Sequence, residues 1–213
     1  MTEAISYERD ADSVVTLTID QPGKSVNPMD AAYADAMGAA LDRLEAERDD
    51  IAGVVLTSGK ETFFAGGDLE MLAAVTPDRA AEFTAEATRM KDQLRRLECL
   101  GRPVVAAING AAVGGGLEIA LACHHRLCVD DDNVRIGFPE VTLGLLPGGG
   151  GITRLVRMLG VQAALPVLSE GRQLPAGDAR DARPSPAHGA APADVCDRGL
   201  DTALCGIPQR PIR

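Results

Sequence analysis

The chain has 213 residues, of which 46% are apolar and 24% charged, a composition that suits one soluble, enzyme-sized domain with a substantial core. A formal net charge of −10 excludes a surface built to neutralise a phosphate backbone, so nucleic acid is not an expected partner. No apolar run approaches the roughly 20 residues of a membrane helix, the opening MTEAISYERD lacks a signal-peptide layout, and five cysteines without an export signal are expected to be buried thiols of a cytoplasmic protein.

In chain order, SVVTLTID (Ser13 to Asp20) is β-branched and predicts a strand, and Asp30 to Asp50 is alanine-rich, opens on a capping residue and predicts a helix. AGVVLTSG (Ala52 to Gly59) is a short continuous apolar run between turn residues, the pattern of a strand buried on both faces of a parallel sheet. The stretch ETFFAGGDLEML follows, with Asp68 placed to cap a helix from Leu69. A helix is expected from about Asp78 to Leu100, ended by GRP, and a third buried strand over Pro103 to Asn109. After the glycine-rich GAAVGGGLEIALAC, the runs RLCVDD and VRIG predict further strands, and Gly151 to Leu159 and Val161 to Glu170 predict helices. The alternation is that of an α/β protein over residues 1–170. Residues 171–213 contain repeated Pro and Asp-Arg pairs and no sustained apolar period, and are expected to be a poorly ordered tail.

Cys123, His124, His125 and Cys128 cluster, but adjacent histidines at a helix end do not give the two separated ligand pairs of a tetrahedral zinc site. The plainer expectation is a helix C-terminus with His or Arg near its negative end, followed by a buried strand.

Three glycine-bearing segments carry the chemistry. Gly114, Gly115 and Gly116 open a helix whose first N–H groups have no internal partner, and such an N-terminus favours anions. Glu118 stands one turn further on, either sharing a pocket with those donors or satisfying them itself. Gly67 offers a second backbone N–H, and two donors converging from two loops are what a developing oxyanion requires. In GFPEVTLGLLPGGGGITRL, Glu140 places a second carboxylate beside flexible backbone, and paired carboxylates can divide acid and base work.

FFAGGDLEML, INGAAVGGGLEIALACHHRL and GFPEVTLGLLPGGGGITRLVRMLG resemble successive motifs of the crotonase, or enoyl-CoA hydratase/isomerase, superfamily over residues 10–170. The wording HHRLCVDD and LGLLPGGGGITRLVRMLG is most similar to the hydratase portion of multifunctional fatty-acid oxidation proteins. The resemblance implies a crotonase-like ββα spiral with stacked parallel sheets. It implies an oxyanion hole from the N–H groups of Gly67 and Gly115, catalytic glutamates Glu118 and Glu140, and a water-orienting N–H at Gly148. It further places Ala65, Gly66 and Asp68 beside the substrate and Met71 and Leu72 along the acyl tunnel.

The implied reaction is hydration of a trans-2-enoyl-CoA thioester, with no metal or redox cofactor and coenzyme A entering as part of the substrate. Δ3-Δ2-enoyl-CoA isomerase is the alternative, since isomerases keep the glutamate matching Glu140; hydrolases, dehalogenases and decarboxylases reuse the same oxyanion hole. A non-catalytic acyl-CoA-binding remnant is the reading from another class. The family implies a homotrimer or hexamer, yet the C-terminal helices that build it have no counterpart in 171–213, which reads like text in a shifted frame. Arginines there, such as Arg183 and Arg198, are the basic residues that could meet CoA phosphates. Arg154 and Arg157 are expected on an exposed helix face, and Asn27 and Met29 suit either a CoA-side loop or a turn before a capped helix.

Overall fold

Alternation decides which way each strand faces. In Val14–Ile19 (β2), Val15, Leu17 and Ile19 are fully buried and the residues between them half-buried. The computed structural model describes residues 4–64, 66–67, 72–131 and 133–176. Ile5–Arg9 (β1) pairs antiparallel with β2 across a turn in which Asp10 Oδ1 accepts from the N–H groups of Asp12 and Val14. Gly53–Ser58 (β4), Val104–Ile108 (β6) and His125–Cys128 (β8) extend this sheet in parallel, in the order β1-β2-β4-β6-β8. The strand expected to be buried on both faces is buried on one: Val54 and Leu56 point into the core, whereas Val55 and Thr57 are half-buried. β8 departs further, because it is a sheet edge; Arg126 and Cys128 face inward and Leu127 is 44% exposed.

Helix Ala31–Ala46 (α1) starts where Asp30 accepts from the N–H of Tyr33, and it buries Tyr33, Met37, Leu41 and Leu44 at helical spacing. Helix Ala80–Glu98 (α2) follows a 3₁₀ turn at Pro77–Arg79 and buries only its second half, including Leu94 and Leu97; Cys99, which ends it, is exposed and not buried as expected, whereas Cys123 and Cys128 are buried. Its free first half becomes a wall of the site described below. Helix Gly115–Ala122 (α3) is buried along its entire length, which explains its almost wholly apolar sequence. Gly151–Leu159 (α4) and Val161–Ser169 (α5) are separated by Gly160, whose φ of +79° breaks the helical run.

Short strands, all but one of them invisible to periodicity, tie the loops together. Pro28–Met29 (β3) pairs in parallel with Gly66–Gly67 (β5), and Ala112–Val113 (β7) pairs with Arg135–Gly137 (β9). Gln173–Pro175 (β10) then pairs antiparallel with β9, and Ala176 is buried. The packed unit therefore runs past residue 170, where the tail was expected to begin. β10 escapes a search for period because one short strand next to Pro175 carries too few residues to show one. Residues 177–213, including Arg183 and Arg198, lie outside the described residues.

Candidate active site

Two glycine segments meet because backbone must approach backbone. Phe63 and Phe64 donate their N–H groups to the Ala111 carbonyl, and Phe64 bridges Ala112, so the chain entering Gly66 and Gly67 runs alongside the chain entering α3. A Cβ on Gly116 would stand 2.6 Å from the Phe64 carbonyl oxygen, a distance that only glycine permits. A Cβ on Gly66 would lie 3.6 Å from the Gly115 nitrogen, which places the two loops in contact. Gly115 is the first residue of α3, so its N–H has no intrahelical acceptor. Met29, on β3, packs against Gly115.

These loops floor a cavity of about 500 Å³. Gly66, Gly67, Gly115, Glu118, Glu140, Gly148 and Leu72 all line it, so the residues singled out from separate motifs converge wherever they are described. Ala65, Asp68 and Met71 lie outside the described residues. The sequence reading missed the walls. Phe83, Ala87 and Met90 of α2 form one side and continue the helical stripe that ends in buried Leu94 and Leu97. Leu143, Leu145 and Leu146 form the other, and Leu146 is 71% exposed. The stripe was visible in the sequence, but nothing local distinguishes a pocket-lining half from a core half. Lys91 and Glu86 supply charge to the same cavity.

Glu118 does not cap its own helix. Its Oε1 accepts from the N–H of Gly151 at 2.8 Å, across the gap to α4, with a further backbone contribution from Gly149. A helix N-terminus thus holds the carboxylate, but that terminus belongs to α4 and not to α3. Burial pushes the Glu118 carboxyl above its ordinary range, while these N–H groups and the nearby charges of Arg154 and Lys91 pull the other way.

Glu140 sits in the 3₁₀ turn Pro139–Leu143, its Oε1 so close to Gly114 that a Cβ there would lie 2.9 Å away. Gly114 adopts φ +55°, and its N–H donates to the Gly137 carbonyl, which locks the turn into α3. Glu140 Oε2 is buried without a hydrogen-bond partner among the described residues. Burial, assisted by the Glu118 charge, pushes this carboxyl up to about 7. The two acids therefore differ in kind: one is held by backbone donors and the other is left with an unpaired oxygen.

Other expectations resolve into structural roles. Asn27 is fully buried; its Oδ1 accepts from the Gln21 N–H at 3.0 Å, and its Nδ2 donates to the Ile19 carbonyl and Ser58 Oγ, both at 2.9 Å. It fastens the loop that presents Met29. Arg154, expected to be exposed, has a side chain only 10% exposed, because it turns back to the Gly149 carbonyl and to Glu98. Arg157 is exposed. Arg126 donates to the carbonyls of Ala120 and Cys123 at the end of α3, placing a cation at the negative end of that helix. His124 Nδ1 accepts from the Val104 N–H and Cys123 Sγ donates to the Ile119 carbonyl, so these two groups of the cysteine–histidine cluster are engaged by backbone.

A family model described as enoyl-CoA hydratase/isomerase matches residues 9–182. The fatty acid oxidation complex subunit alpha of Idiomarina loihiensis is 43% identical over 178 residues, covering 83% of this chain and 25% of that protein. That of Aliivibrio fischeri is 41% identical over 174 residues, covering 81% and 25%. The chain spans about a quarter of the length of these curated relatives. Among solved structures, the enoyl-CoA hydratase from Bacillus anthracis superposes with a TM-score of 0.75 at 30% identity, over 84% of this chain and 67% of that one. The enoyl-CoA hydratase from Thermoplasma volcanium gives 0.74 at 28% identity, over 84% and 68%. The matched span reaches beyond residue 170 and into the segment that contains β10.

Proposed function

The chain belongs to the enoyl-CoA hydratase/isomerase family and has its α/β crotonase fold, and from that premise we propose that its cavity hydrates trans-2-enoyl-CoA thioesters. One observation carries the reading: two carboxylates with different hydrogen-bond partners share one pocket with two glycine loops. Adding water across a double bond needs two proton transfers, one from the oxygen of the attacking water and one to the α-carbon, and hence a base and an acid.

Glu118 is the base. The donors of Gly149 and Gly151, with Arg154 and Lys91, favour its anion, which takes a proton from water as the oxygen adds to the β-carbon. Glu140, pushed up to about 7, still carries a proton in a large share of molecules near neutral pH and delivers it to the α-carbon. The N–H groups of Gly67 and Gly115 face the thioester oxygen on which enolate charge develops, and fixed dipoles need no reorganisation at that moment. Gly148, whose surroundings are open, orients the attacking water. Coenzyme A is part of the substrate, and neither metal nor redox cofactor takes part in the proposed steps.

Following the loss of enoyl-thioester absorbance with crotonyl-CoA tests this. Glu118→Gln and Glu140→Gln are each expected to slow hydration by about 10²- to 10⁴-fold, with acyl-CoA binding largely kept. Wild-type hydration by either variant refutes the proposal. Retained double-bond migration in Glu118→Gln, together with negligible hydration by the unaltered chain, would make it an isomerase.

A further inference from the structure

The turn that holds Glu118 is itself held. Arg154 lies within α4, and its guanidinium reaches two acceptors: Nη1 donates to the Gly149 carbonyl at 3.0 Å and Nη2 to Glu98 Oε2 at 3.2 Å. Both side chains are shielded, at 10% and 5% exposure, and Arg95 donates to the same Glu98 oxygen at 2.9 Å. Gly150 adopts φ +100°, a conformation that favours glycine, and a Cβ on it would stand 2.6 Å from Arg154 Nη1 and displace the guanidinium. The peptide joining Gly149 to Gly150 lies between the two residues whose N–H groups act on Glu118. Anchoring its carbonyl therefore restrains the two flanking peptides, which carry those N–H groups.

We propose that Arg154 is a positioning residue for Glu118: bridging the Gly149 carbonyl to Glu98, it locks the glycine turn so that the donors of Gly149 and Gly151 face the carboxylate. The role rests on the reading of Glu118 as base. A planar fork suits the task, because it holds two acceptors at a fixed angle, whereas an ammonium is a point charge that cannot hold both with that geometry. The charge matters too. The groups acting on Glu118 are Arg154 from α4 and Lys91 from α2, which favour its anion, and Glu140 from the 3₁₀ turn, whose charge is coupled to that of Glu118.

The test uses the full chain, with Arg154→Lys, Glu118→Gln and the double variant assayed for hydration of crotonyl-CoA over pH, and thermal melting run beside them. Arg154→Lys is expected to lower kcat by about ten- to a hundredfold, with KM within about threefold of wild type, because the base is misplaced and not the thioester. The pH limb belonging to Glu118 moves to higher pH as the anion loses support. The double variant is expected to be no slower than Glu118→Gln alone, since the arginine has nothing left to position. Arg154→Gln, neutral and shorter, is the second variant, expected to show the same non-additivity. Wild-type kcat in Arg154→Lys, or losses that multiply in the double variants, overturns the positioning role and leaves Glu118 as base. Full activity in Glu118→Gln overturns both.

Discussion

Gly149→Ala isolates the seating of Glu118 from the rest of the fold. Gly149 is not among the glycines with positive φ, so alanine costs little in backbone conformation there. Its Cβ, however, would stand 2.6 Å from Glu118 Oε2, where ordinary contact begins at 3.4 Å, and 3.2 Å from Leu94 Cδ1. Leucine is flexible enough to give by a few tenths of an ångström, so the carboxylate must take up most of a shift of about 0.8 Å. The 2.8 Å bond from Gly151 to Oε1 does not survive such a shift. A hydrogen bond to a charged group is worth about 1.5–3 kcal/mol, equivalent to a rate loss of about 10- to 150-fold at 1.36 kcal/mol per tenfold. Steady-state hydration of crotonyl-CoA is the assay, with KM and the melting temperature measured on the same preparation. The reasoning predicts loss in kcat with KM nearly unchanged. A wild-type kcat, or a loss confined to KM, would refute it.

The kcat/KM for hydration is expected to fall as pH rises through about 7, because Glu140 then loses the proton it must donate; Glu140→Gln removes this limb along with the activity. Stability follows the same group with a definite sign. The folded carboxyl titrates near 7 against an ordinary 4.5, so the folded state binds more protons between those values. The melting temperature should therefore decline from about pH 4.5 to about pH 7 and level off above. A flatter curve in Glu140→Gln is the check, and an unchanged slope would count against a buried, unpaired acid. Asn27→Ala removes three buried hydrogen bonds and leaves the Gln21 N–H without its acceptor, while the Ile19 carbonyl and Ser58 Oγ keep the N–H groups of Gly59 and Lys60, so it should lower the unfolding free energy in urea by about 1–3 kcal/mol. A loss under about 1 kcal/mol would show that the loop carrying Met29 is fastened elsewhere.

Elements with enough residues to show a period were legible from the sequence. β2, β4, β6 and α1 through α5 fall within a few residues of where apolar spacing, caps and breakers put them. The two-residue strands β3, β5 and β7 were not legible, because they exist only through a partner distant in the chain. β1 was passed over for a related reason: Ile5–Arg9 carries charge on its exposed face and becomes a strand by pairing with β2. The site divides in the same way. Gly67, Gly115, Glu118, Glu140 and Gly148, which line one cavity, could be singled out from glycine runs placed beside carboxylates and from the family resemblance. That Gly151 and Arg154 seat one of those carboxylates could not be read from either.

By itself the sequence determined which segments bury, which turns demand glycine and which family the motifs resemble, since these depend on local sterics, period and residue chemistry. Only the tertiary structure decided how the acids differ. Glu118 and Glu140 are the same side chain in comparable glycine-rich settings, both pushed up by burial, and they differ in the donors that packing brings to them from far away in the chain. Gly151 reaches Glu118 across 33 positions, while Glu140 Oε2 has no hydrogen-bond partner among the described residues. A proton's preference depends on every dipole and charge within a few ångströms, and packing alone determines which groups those are.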